Sequence, residues 1–463
     1  MLFNTPQFFL FLIVVLALFY AAPRGWRKLI LLAASYWFYM SWNVRFVPLL
    51  LTLTAIDYFA ARLIQRTTHA GRRKLLLVVS LAANFGFLGF FKYYNFLAAN
   101  AALLLGQAES AFALQVVLPL GISFHTFQSI SYVVDVYRAQ QKAIANPVDY
   151  AVIIAFFPQL VAGPIVRARE FFPDLHAWRA PDASELSRGA MLVLFGLTKK
   201  MALADQFALI ADRYFQNPSV YSGWLTAWSG VAAFGMQIYF DFSGYTDMAI
   251  GMALLLGFHF PQNFRRPYLA ASITDFWRRW HMSLSRWLRD YLYIALGGNR
   301  HGAWKTYRNL MLTMLLGGLW HGANWRFVIW GAYHGGLLAV ERAAGAMRPP
   351  GWVRFLHPLR VALTFALALI GWVFFRAASL RDCWVMIGKM FSGPMGSPLW
   401  HRWQIDLALA ALLLALAEEK FGWFDRLAAA PGWVYGAAAA VLLLMLELIG
   451  VTEIAVPFVY FQF

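Results

Sequence analysis

The sequence predicts an all-α polytopic membrane protein, and its composition supports this fold class. Of the 463 residues, 61% are hydrophobic and only 13% are charged, whereas soluble proteins have about 25% charged residues. A soluble protein of this length would lack the polar side chains that cover a surface. The composition therefore excludes a soluble globular enzyme and a disordered chain. A disulfide-rich secreted module is also excluded, because Cys383 is the single cysteine of the sequence.

The N-terminal apolar run is predicted to be an uncleaved membrane span. Residues 8–20 are apolar, and the first basic cluster, at 24–28, follows this run. A signal peptide carries its positive charge before the apolar run. Basic loops stay in the cytoplasm, so this order predicts a periplasmic N-terminus. The basic loop at 62–74 falls on the same, cytoplasmic side.

The apolar runs together predict about eleven membrane crossings. Several runs are shorter than the ~20 residues that cross the hydrocarbon layer, so some of them are expected to be re-entrant or interfacial. The runs after the first lie at 28–42, 46–64, 75–91, 112–134, 150–161, 189–204, 225–240, 247–258, 307–319, 327–343, 361–375, 405–416 and 434–449. Helix breaks are predicted at the glycine and proline positions 119–121, 158, 163–164, 317–318 and 335–336.

The chain is predicted to form a single integral membrane domain, 1–463, because no long linker rich in proline or serine divides it. Polar residues of the membrane region concentrate at about 155–335, which we take as the functional core. The net charge of +17 is explained by basic cytoplasmic loops, and part of it by the binding of a phosphorylated ligand, rather than by the binding of nucleic acid.

An amphipathic helix is predicted over 272–293, with an aromatic face and a cationic stripe. The residues of this stripe recur every three or four positions, so they share one side of a helix. They are Arg278, His281, Ser285 and Arg289. Arginine donates two parallel hydrogen bonds to phosphate, which favours a binding surface for a phosphorylated donor. The alternative is a helix that anchors the chain at the membrane surface.

His321 is the first candidate for catalysis. It lies between two apolar runs, and an ionisable residue at membrane depth is a functional candidate. Imidazole can take a proton from a hydroxyl group near neutral pH. The alternative is a buried histidine that donates to a backbone carbonyl. Trp320 and Trp325 are candidates for the walls of the pocket, and His334 is the weaker histidine candidate.

Asp241 and Asp247 are expected to be structural counter-ions. A bare carboxylate in an apolar setting is costly, so each should have a cationic partner, and the arginines of the cationic stripe are the expected ones. No metal site is predicted, because His281 and His321 are too few as ligands. The sequence also contains neither a P-loop nor a Gly-x-Ser-x-Gly motif, so neither NTP-driven transport nor serine hydrolysis is supported.

These motifs resemble the membrane-bound O-acyltransferase family. Within it they are most similar to a bacterial branch that contains the membrane subunit of alginate O-acetylation and the teichoic-acid D-alanyl transferase. The resemblance is carried, in chain order, by FFPQLVAGPI at 156–165, YFDFSGYTDMAIG at 239–251, NFRRPY at 263–268, FWRRWHMSLSRWLRDYLYIALGGNR at 276–300, GLWHGANWRFVIWGAYHG at 318–335 and the aromatic ending at 457–463.

The resemblance implies a ring of transmembrane helices around a thin core with a cytoplasmic funnel. It implies that His321 is the catalytic histidine and His281 the second functional histidine. It also implies transfer of an acetyl group from cytoplasmic acetyl-CoA across the bacterial inner membrane, without a resident cofactor. A periplasmic SGNH-type transferase partner would then acetylate a polysaccharide. Alginate is favoured; peptidoglycan, cellulose and D-alanyl transfer to teichoic acid are the alternatives.

A donor site is expected beside the two histidines. Its candidate residues are Arg278, Arg279, Ser285, Arg289, Trp320, Asn324 and Trp325. We expect His321 to take the hydroxyl proton while the thioester is attacked, with an acyl-histidine as the alternative. The competing class is a non-catalytic transporter or flippase, which would explain broken helices and buried charge without needing a Trp-His-Gly site.

Overall fold

The computed structural model describes residues 1–160, 163–345, 356–451, 456, 458 and 459. The regular secondary structure of these residues is helical and includes no strand, which confirms the all-α prediction. They form two compact units. The first comprises Met1–Ala190 and Met248–Pro261, and the second comprises Met191–Asp247 and Gln262–Phe463. The prediction of a single integral membrane domain over 1–463 stays a prediction.

Ten α-helices occupy the part of the chain up to residue 198. They are α1 (Pro6–Ala21), α2 (Arg24–Asn43), α3 (Val47–Arg66), α4 (Ala70–Leu88), α5 (Tyr94–Leu104), α6 (Ile122–Tyr137), α7 (Pro147–Ala155), α8 (Phe157–Leu160), α9 (Ala168–His176) and α10 (Ala183–Thr198). Local sequence explains several of their starts. Thr5 caps α1 by accepting a hydrogen bond from the Phe8 N–H, and Pro6 occupies the first helical position, which suits a residue without an N–H.

Eleven further α-helices follow within the described residues. They are α11 (Asp205–Gln216), α12 (Trp224–Leu255), α13 (Ile273–Arg279), α14 (Met282–Trp287), α15 (Ala303–His321), α16 (Trp325–Gly345), α17 (His357–Arg376), α18 (Leu380–Phe391), α19 (Arg402–Phe421), α20 (Trp423–Ala428) and α21 (Gly432–Ile449). Wider π-helical turns occur at Gly89–Tyr93, Lys199–Ala204 and Leu288–Tyr293.

Four helical segments in the described residues are long and apolar enough to cross a membrane. They are Arg24–Arg66, Ala70–Leu104, His357–Arg376 and Gly432–Ile449. Many large apolar side chains on these helices are exposed, for example Leu448 of α21 at 78%. A surface of this kind suits lipid rather than water. The membrane nature of the chain is thus supported, and the count of about eleven crossings stays a prediction.

Two predicted helix breaks are wrong. Positions 317–318 lie inside α15 and positions 335–336 lie inside α16, because a glycine lowers helix stability only by about 1 kcal/mol and packing overrides it. Here glycine permits close helix packing: a Cβ added at Gly318 would clash with the Phe327 carbonyl oxygen, and one at Gly331 with that of Met314. The predicted spans at 225–240 and 247–258 also form a single helix, α12.

Other predicted breaks are observed. Gly121 has a left-handed backbone, with φ +70°, immediately before α6. Pro158 lies in the short helix α8, which is separated from α7 at Phe156. Positions 163–164 lie between α8 and α9. The aromatic ending at 457–463 falls outside the described residues except for Phe458 and Val459.

Candidate functional site

The predicted helix over 272–293 is interrupted in the structure at His281. The first half, α13, starts at the cap Ser272, whose hydroxyl accepts a hydrogen bond from the Asp275 N–H, and ends at Arg279. Trp280 is extended, and His281 has a left-handed backbone with φ +42° before α14 begins. Residues on the two sides of the break no longer share one helical phase. The prediction of one continuous cationic stripe is therefore wrong.

Asn263 organises this break. Its side-chain oxygen lies 3.2 Å from His281 Nδ1 and accepts hydrogen bonds from the Ser283 N–H at 3.1 Å and the Ser283 hydroxyl at 2.9 Å. Its backbone carbonyl accepts from the Met282 N–H at 2.9 Å. Asn263 and His281 are both fully buried. The amide thus fixes the position of the imidazole and satisfies the backbone that the break exposes.

His321 is the last residue of α15 and lies in an aromatic surrounding. Its ring centroid is 4.9 Å from that of Trp320, 5.1 Å from Trp330 and 5.2 Å from Phe375, all close to edge-to-face. The side chain is 6% exposed. Aromatic contacts of this geometry hold a ring in place through packing.

Trp320 links the two histidines. Its ring centroid lies 6.3 Å from that of His281 and 4.9 Å from that of His321. Both sequence-predicted catalytic histidines, separated by 40 positions in the chain, are therefore brought against one indole. The arrangement provides two imidazoles in a site from which water is largely excluded, which suits a proton transfer that accompanies acyl transfer.

His334 belongs to the same aromatic cluster. Its ring centroid lies 4.8 Å from that of Trp330 and 5.3 Å from that of Trp277. Both ring nitrogens are buried without a hydrogen-bond partner among the described residues. Trp330 contacts both His321 and His334, so a third histidine lies one indole away from the first.

The predicted donor-site arginines lie nearer the surface than the histidines. Arg278 and Arg289 are exposed, and Arg289 Nε lies 2.7 Å from Asp290. Arg279 is paired with Asp275 at 3.0 Å and with Glu419 at 3.1 Å. The structure therefore does not place these arginines on a common stripe with the buried His281.

The remaining donor candidates lie in different surroundings. Trp320 contacts both histidines, whereas Trp325 is 52% exposed. Asn324 caps α16, accepting a hydrogen bond from the Arg326 N–H at 3.0 Å. The Ser285 hydroxyl donates to the Trp280 carbonyl at 3.4 Å.

Asp241 and Asp247 are ion-paired, but with lysines. Lys200 Nζ lies 2.9 Å from Asp241 and 2.6 Å from Asp205, and Lys199 Nζ lies 2.5 Å from Asp247. The expectation of arginine partners is therefore wrong. The two lysines are consecutive residues of the π-helical turn Lys199–Ala204, so their side chains leave the helix in different directions and reach different partners.

Sequence reasoning missed three kinds of residue at this site. Asn263 lies in the NFRRPY motif but carries no charge, so nothing in the local pattern singled it out. Trp330 and Phe375 read as ordinary apolar residues. Lys199 and Lys200 could have been found, because two cations within the apolar run at 189–204 are a functional or structural signal by themselves.

The fold and the site define a helical membrane protein with a buried histidine and aromatic centre. A family model described as MBOAT, membrane-bound O-acyltransferase family, matches residues 73–381. This match covers more than half of the chain, and the chain belongs to the membrane-bound O-acyltransferase family. It is accordingly an acyltransferase.

Individual relatives indicate which members of the family this chain is similar to. The chain is 47% identical over 406 residues to a probable alginate O-acetylase AlgI of Pseudomonas aeruginosa, covering 85% of this chain and 75% of the relative. It is 40% identical to a peptidoglycan O-acetyltransferase of Helicobacter pylori, covering 87% and 81%. It is 31% identical to a teichoic acid D-alanyltransferase of Bacillus subtilis, covering 47% and 58%.

Proposed function

We propose that this chain transfers an acetyl group from cytoplasmic acetyl-CoA across the inner membrane for the O-acetylation of an extracytoplasmic polysaccharide of the alginate type. The observation that carries this proposal is the site itself: two buried histidines on one indole, in a chain 47% identical to a probable alginate O-acetylase. The peptidoglycan O-acetyltransferase relative, at 40% identity, makes peptidoglycan the second candidate acceptor.

His321 is the proposed general base. In the reaction, the oxygen of the accepting hydroxyl attacks the thioester carbonyl, and an imidazole nitrogen of His321 takes the hydroxyl proton. The C–S bond then breaks and the proton passes to the leaving thiolate, so that an ester and a thiol are formed. A positioned imidazole contributes about 10²–10⁴-fold to such a transfer.

His281 is proposed to orient the donor or relay the proton. Its fixed position on Asn263 supports this role, because a relay needs a ring that keeps its orientation. Of the donor-site candidates, Trp320 has the strongest geometric support. Arg278, Arg279 and Arg289 would act at the entrance for the donor phosphates rather than beside the imidazoles.

The proposal includes the arrangement in the membrane. About eleven crossings, a thin core, a cytoplasmic funnel and a periplasmic N-terminus are what the family likeness and the basic loops imply. A periplasmic SGNH-type transferase is the proposed partner that receives the acetyl group. The apolar spans in the described residues are compatible with this arrangement.

The test is the O-acetyl content of each envelope polysaccharide in a strain that lacks this chain. The strain is complemented with the wild type, with His321→Ala, or with His357→Ala, which changes an exposed histidine of α17 and serves as the matched control. Membrane levels of the three proteins are equalised. We expect one polymer to lose acetyl groups and to regain them with the wild type and the control, but not with His321→Ala.

Either of two results would overturn the proposal. Full restoration of acetylation by His321→Ala would show that His321 is not the general base and would favour a non-catalytic transporter. An unchanged acetyl content in every polymer would show that the transferred group is not acetyl. If peptidoglycan alone loses acetyl groups, the second candidate acceptor replaces the first.

A further inference from the structure

A small cavity of about 250 Å³ lies in the first compact unit, where α1 ends and α2 begins. Its inner wall is apolar and consists of Phe19, Leu31, Leu175 and Phe258, each at most 2% exposed. A cavity with such a wall offers a favourable place for hydrocarbon. None of the residues that line this cavity belongs to the histidine site described above, whose histidines lie in the second unit.

The mouth of the cavity is basic. Arg24, Arg27 and Lys28 contribute to its lining. Lys28 Nζ is paired with Asp149 at 2.7 Å, whereas Arg24 is exposed. Three cations and one carboxylate leave the mouth with a positive charge, which attracts an anion.

Arg27 is the residue best placed to hold that anion. Its Nε donates to the Ala22 carbonyl at 3.2 Å, and its guanidinium lies 4.1 Å from the ring centroid of Trp178. Trp178 is itself fixed by donating to the Leu256 carbonyl at 2.8 Å. The Nη1 of Arg27 is buried without a hydrogen-bond partner among the described residues. A buried charged donor without an acceptor costs free energy, so the site is built for a ligand that accepts.

The position of the cavity indicates the kind of ligand. The segment Arg24–Arg66, whose first residue lines the mouth, is long and apolar enough to cross a membrane. The mouth therefore lies where a span meets water, which is the depth of lipid headgroups. The volume is below the ~300–1,000 Å³ of pockets that enclose drug-sized ligands. It suits a phosphate group with a few attached carbons rather than a complete nucleotide thioester.

We propose that this cavity binds the phosphate headgroup of an anionic glycerophospholipid. Arg27 holds the phosphate, Arg24 and Lys28 supply the surrounding positive charge, and the apolar wall receives the first carbons of the lipid. Basic pockets beside membrane spans bind anionic headgroups through this combination of charge and apolar contact. The proposal concerns lipid binding and makes no use of the acyl-transfer chemistry.

The experiment is native mass spectrometry of the full-length protein in a neutral detergent. The protein is titrated with phosphatidylglycerol, with the zwitterionic phosphatidylcholine, and with phosphatidylglycerol in the presence of coenzyme A. The variant is Arg27→Gln, and Arg66→Gln is the matched control, because it removes the same charge from an exposed position at the end of α3. Arg27→Lys keeps the charge but loses the planar fork of the guanidinium.

We expect phosphatidylglycerol to bind at least fivefold more tightly than phosphatidylcholine. Arg27→Gln should weaken phosphatidylglycerol binding about fivefold, Arg27→Lys by a smaller factor, and Arg66→Gln not at all. Equal losses for Arg27→Gln and Arg66→Gln would overturn the proposal, since binding would then reflect diffuse charge. Equal binding of the two lipids, or displacement of phosphatidylglycerol by coenzyme A, would also overturn it. If Arg27→Gln does not fold, wild-type affinity in Arg27→Lys decides against the site.

Discussion

The second unit buries ionisable side chains in two contrasting ways. Around Lys200, charges are paired directly: one ammonium lies 2.6–2.9 Å from two carboxylates, and all three side chains are at most 2% exposed. Around His321, the neighbours that hold the ring are aromatic. Ion pairing fixes both the position and the charge of a side chain, whereas aromatic packing fixes the position alone. A general base must gain and lose a proton during a reaction, so aromatic packing suits the proposed role of His321 better than a direct ion pair would.

The paired cluster also reaches the end of the chain. The Val459 N–H donates to Asp241 at 2.7 Å, and the Phe458 ring lies 4.6 Å from that of Tyr245 and 5.7 Å from that of Phe242. Phe242 in turn lies 4.8 Å from the His281 ring. A series of contacts through Phe458 and Phe242 therefore connects the ion-paired cluster to the ring of His281.

The largest expected effect is on stability, from Lys200→Met. Removing the ammonium leaves two buried carboxylates unpaired, which should lower the free energy of unfolding by about 3–5 kcal/mol. Unfolding of the purified protein in detergent measures this. Lys199→Met is the matched control and should cost less, because its pair with Asp247 is partly exposed, at 14% and 20%. Equal losses in the two variants would contradict the difference between buried and partly exposed pairs.

The next effect concerns the polar side of the histidine site. Asn263→Ala removes the oxygen that accepts from Ser283 and contacts His281, so we expect a loss of about 1–3 kcal/mol in stability and a fall in the acetyl-transfer rate of at least tenfold. Asn263→Asp keeps an acceptor oxygen and should recover part of the rate. The acetyl-transfer rate of each variant is measured at a saturating and at a low concentration of the donor. An unchanged rate in a folded Asn263→Ala protein would show that His281 needs no fixed orientation.

A smaller effect is expected at His334. Because neither ring nitrogen has a hydrogen-bond partner among the described residues and both are buried, His334→Phe removes unsatisfied polar atoms and keeps an aromatic ring. We expect an unfolding temperature equal to or above that of the wild type and an acetyl-transfer rate within about threefold of the wild type. The comparison variant is His321→Phe, for which the rate should collapse. A similar collapse in both would extend the functional site to a third histidine.

The smallest effect is expected from an exposed ionic contact in the first unit, which contrasts with the buried charges of the second unit. His259 lies 3.0 Å from Asp174 and 2.9 Å from Glu185. Burial lowers the pKa of His259, but its hydrogen bonds with Glu185 and Asp174 outweigh burial and leave the pKa above its ordinary value. The hydrogen bond from Arg179 lowers the pKa of Glu185 to about 2.

The direction of the pH dependence follows from these two shifts. The raised pKa of His259 adds stability that is fully present below about pH 6.5, the unfolded value, and is lost as the pH rises through the folded value. The lowered pKa of Glu185 adds stability that is present above about pH 4.5 and is lost as the pH falls toward 2. His259→Gln should therefore destabilise the protein more at pH 6 than at pH 9, by less than about 1 kcal/mol because the site is exposed. Thermal unfolding at the two pH values measures this, and an effect larger at pH 9 would contradict it.

Much of the fold was predictable because composition decides it. A chain that is 61% hydrophobic has few alternatives to membrane helices. His321 could be singled out because an ionisable group between apolar runs is rare enough to be noticed, whereas His281 was indicated by the cationic stripe and the family resemblance. The partners of Asp241 and Asp247 were not predictable, because the sequence offers lysines and arginines alike and only the folded structure brings Lys200 and Lys199 beside them.

The interruption at His281 was not predictable from local sequence. Neither glycine nor proline occurs at 280–281, and helical spacing of aromatic and cationic residues continues through the break. The break depends on Asn263, 18 residues earlier in the chain. Tertiary hydrogen bonds of this kind override a periodic pattern, which is why the cationic stripe looked continuous.

The backbone at His281 has a consequence for the choice of probe. A left-handed conformation costs an alanine about 1–2 kcal/mol, as it does any side chain with a Cβ, whereas glycine adopts it freely. Alanine at this position would remove the imidazole and keep the torsional penalty that the ring's contacts now offset, so its phenotype would mix lost chemistry with lost rigidity. Glycine removes the ring and the penalty together. A pair of variants, one alanine and one glycine, would therefore separate the contribution of the imidazole ring from the cost of the left-handed backbone conformation.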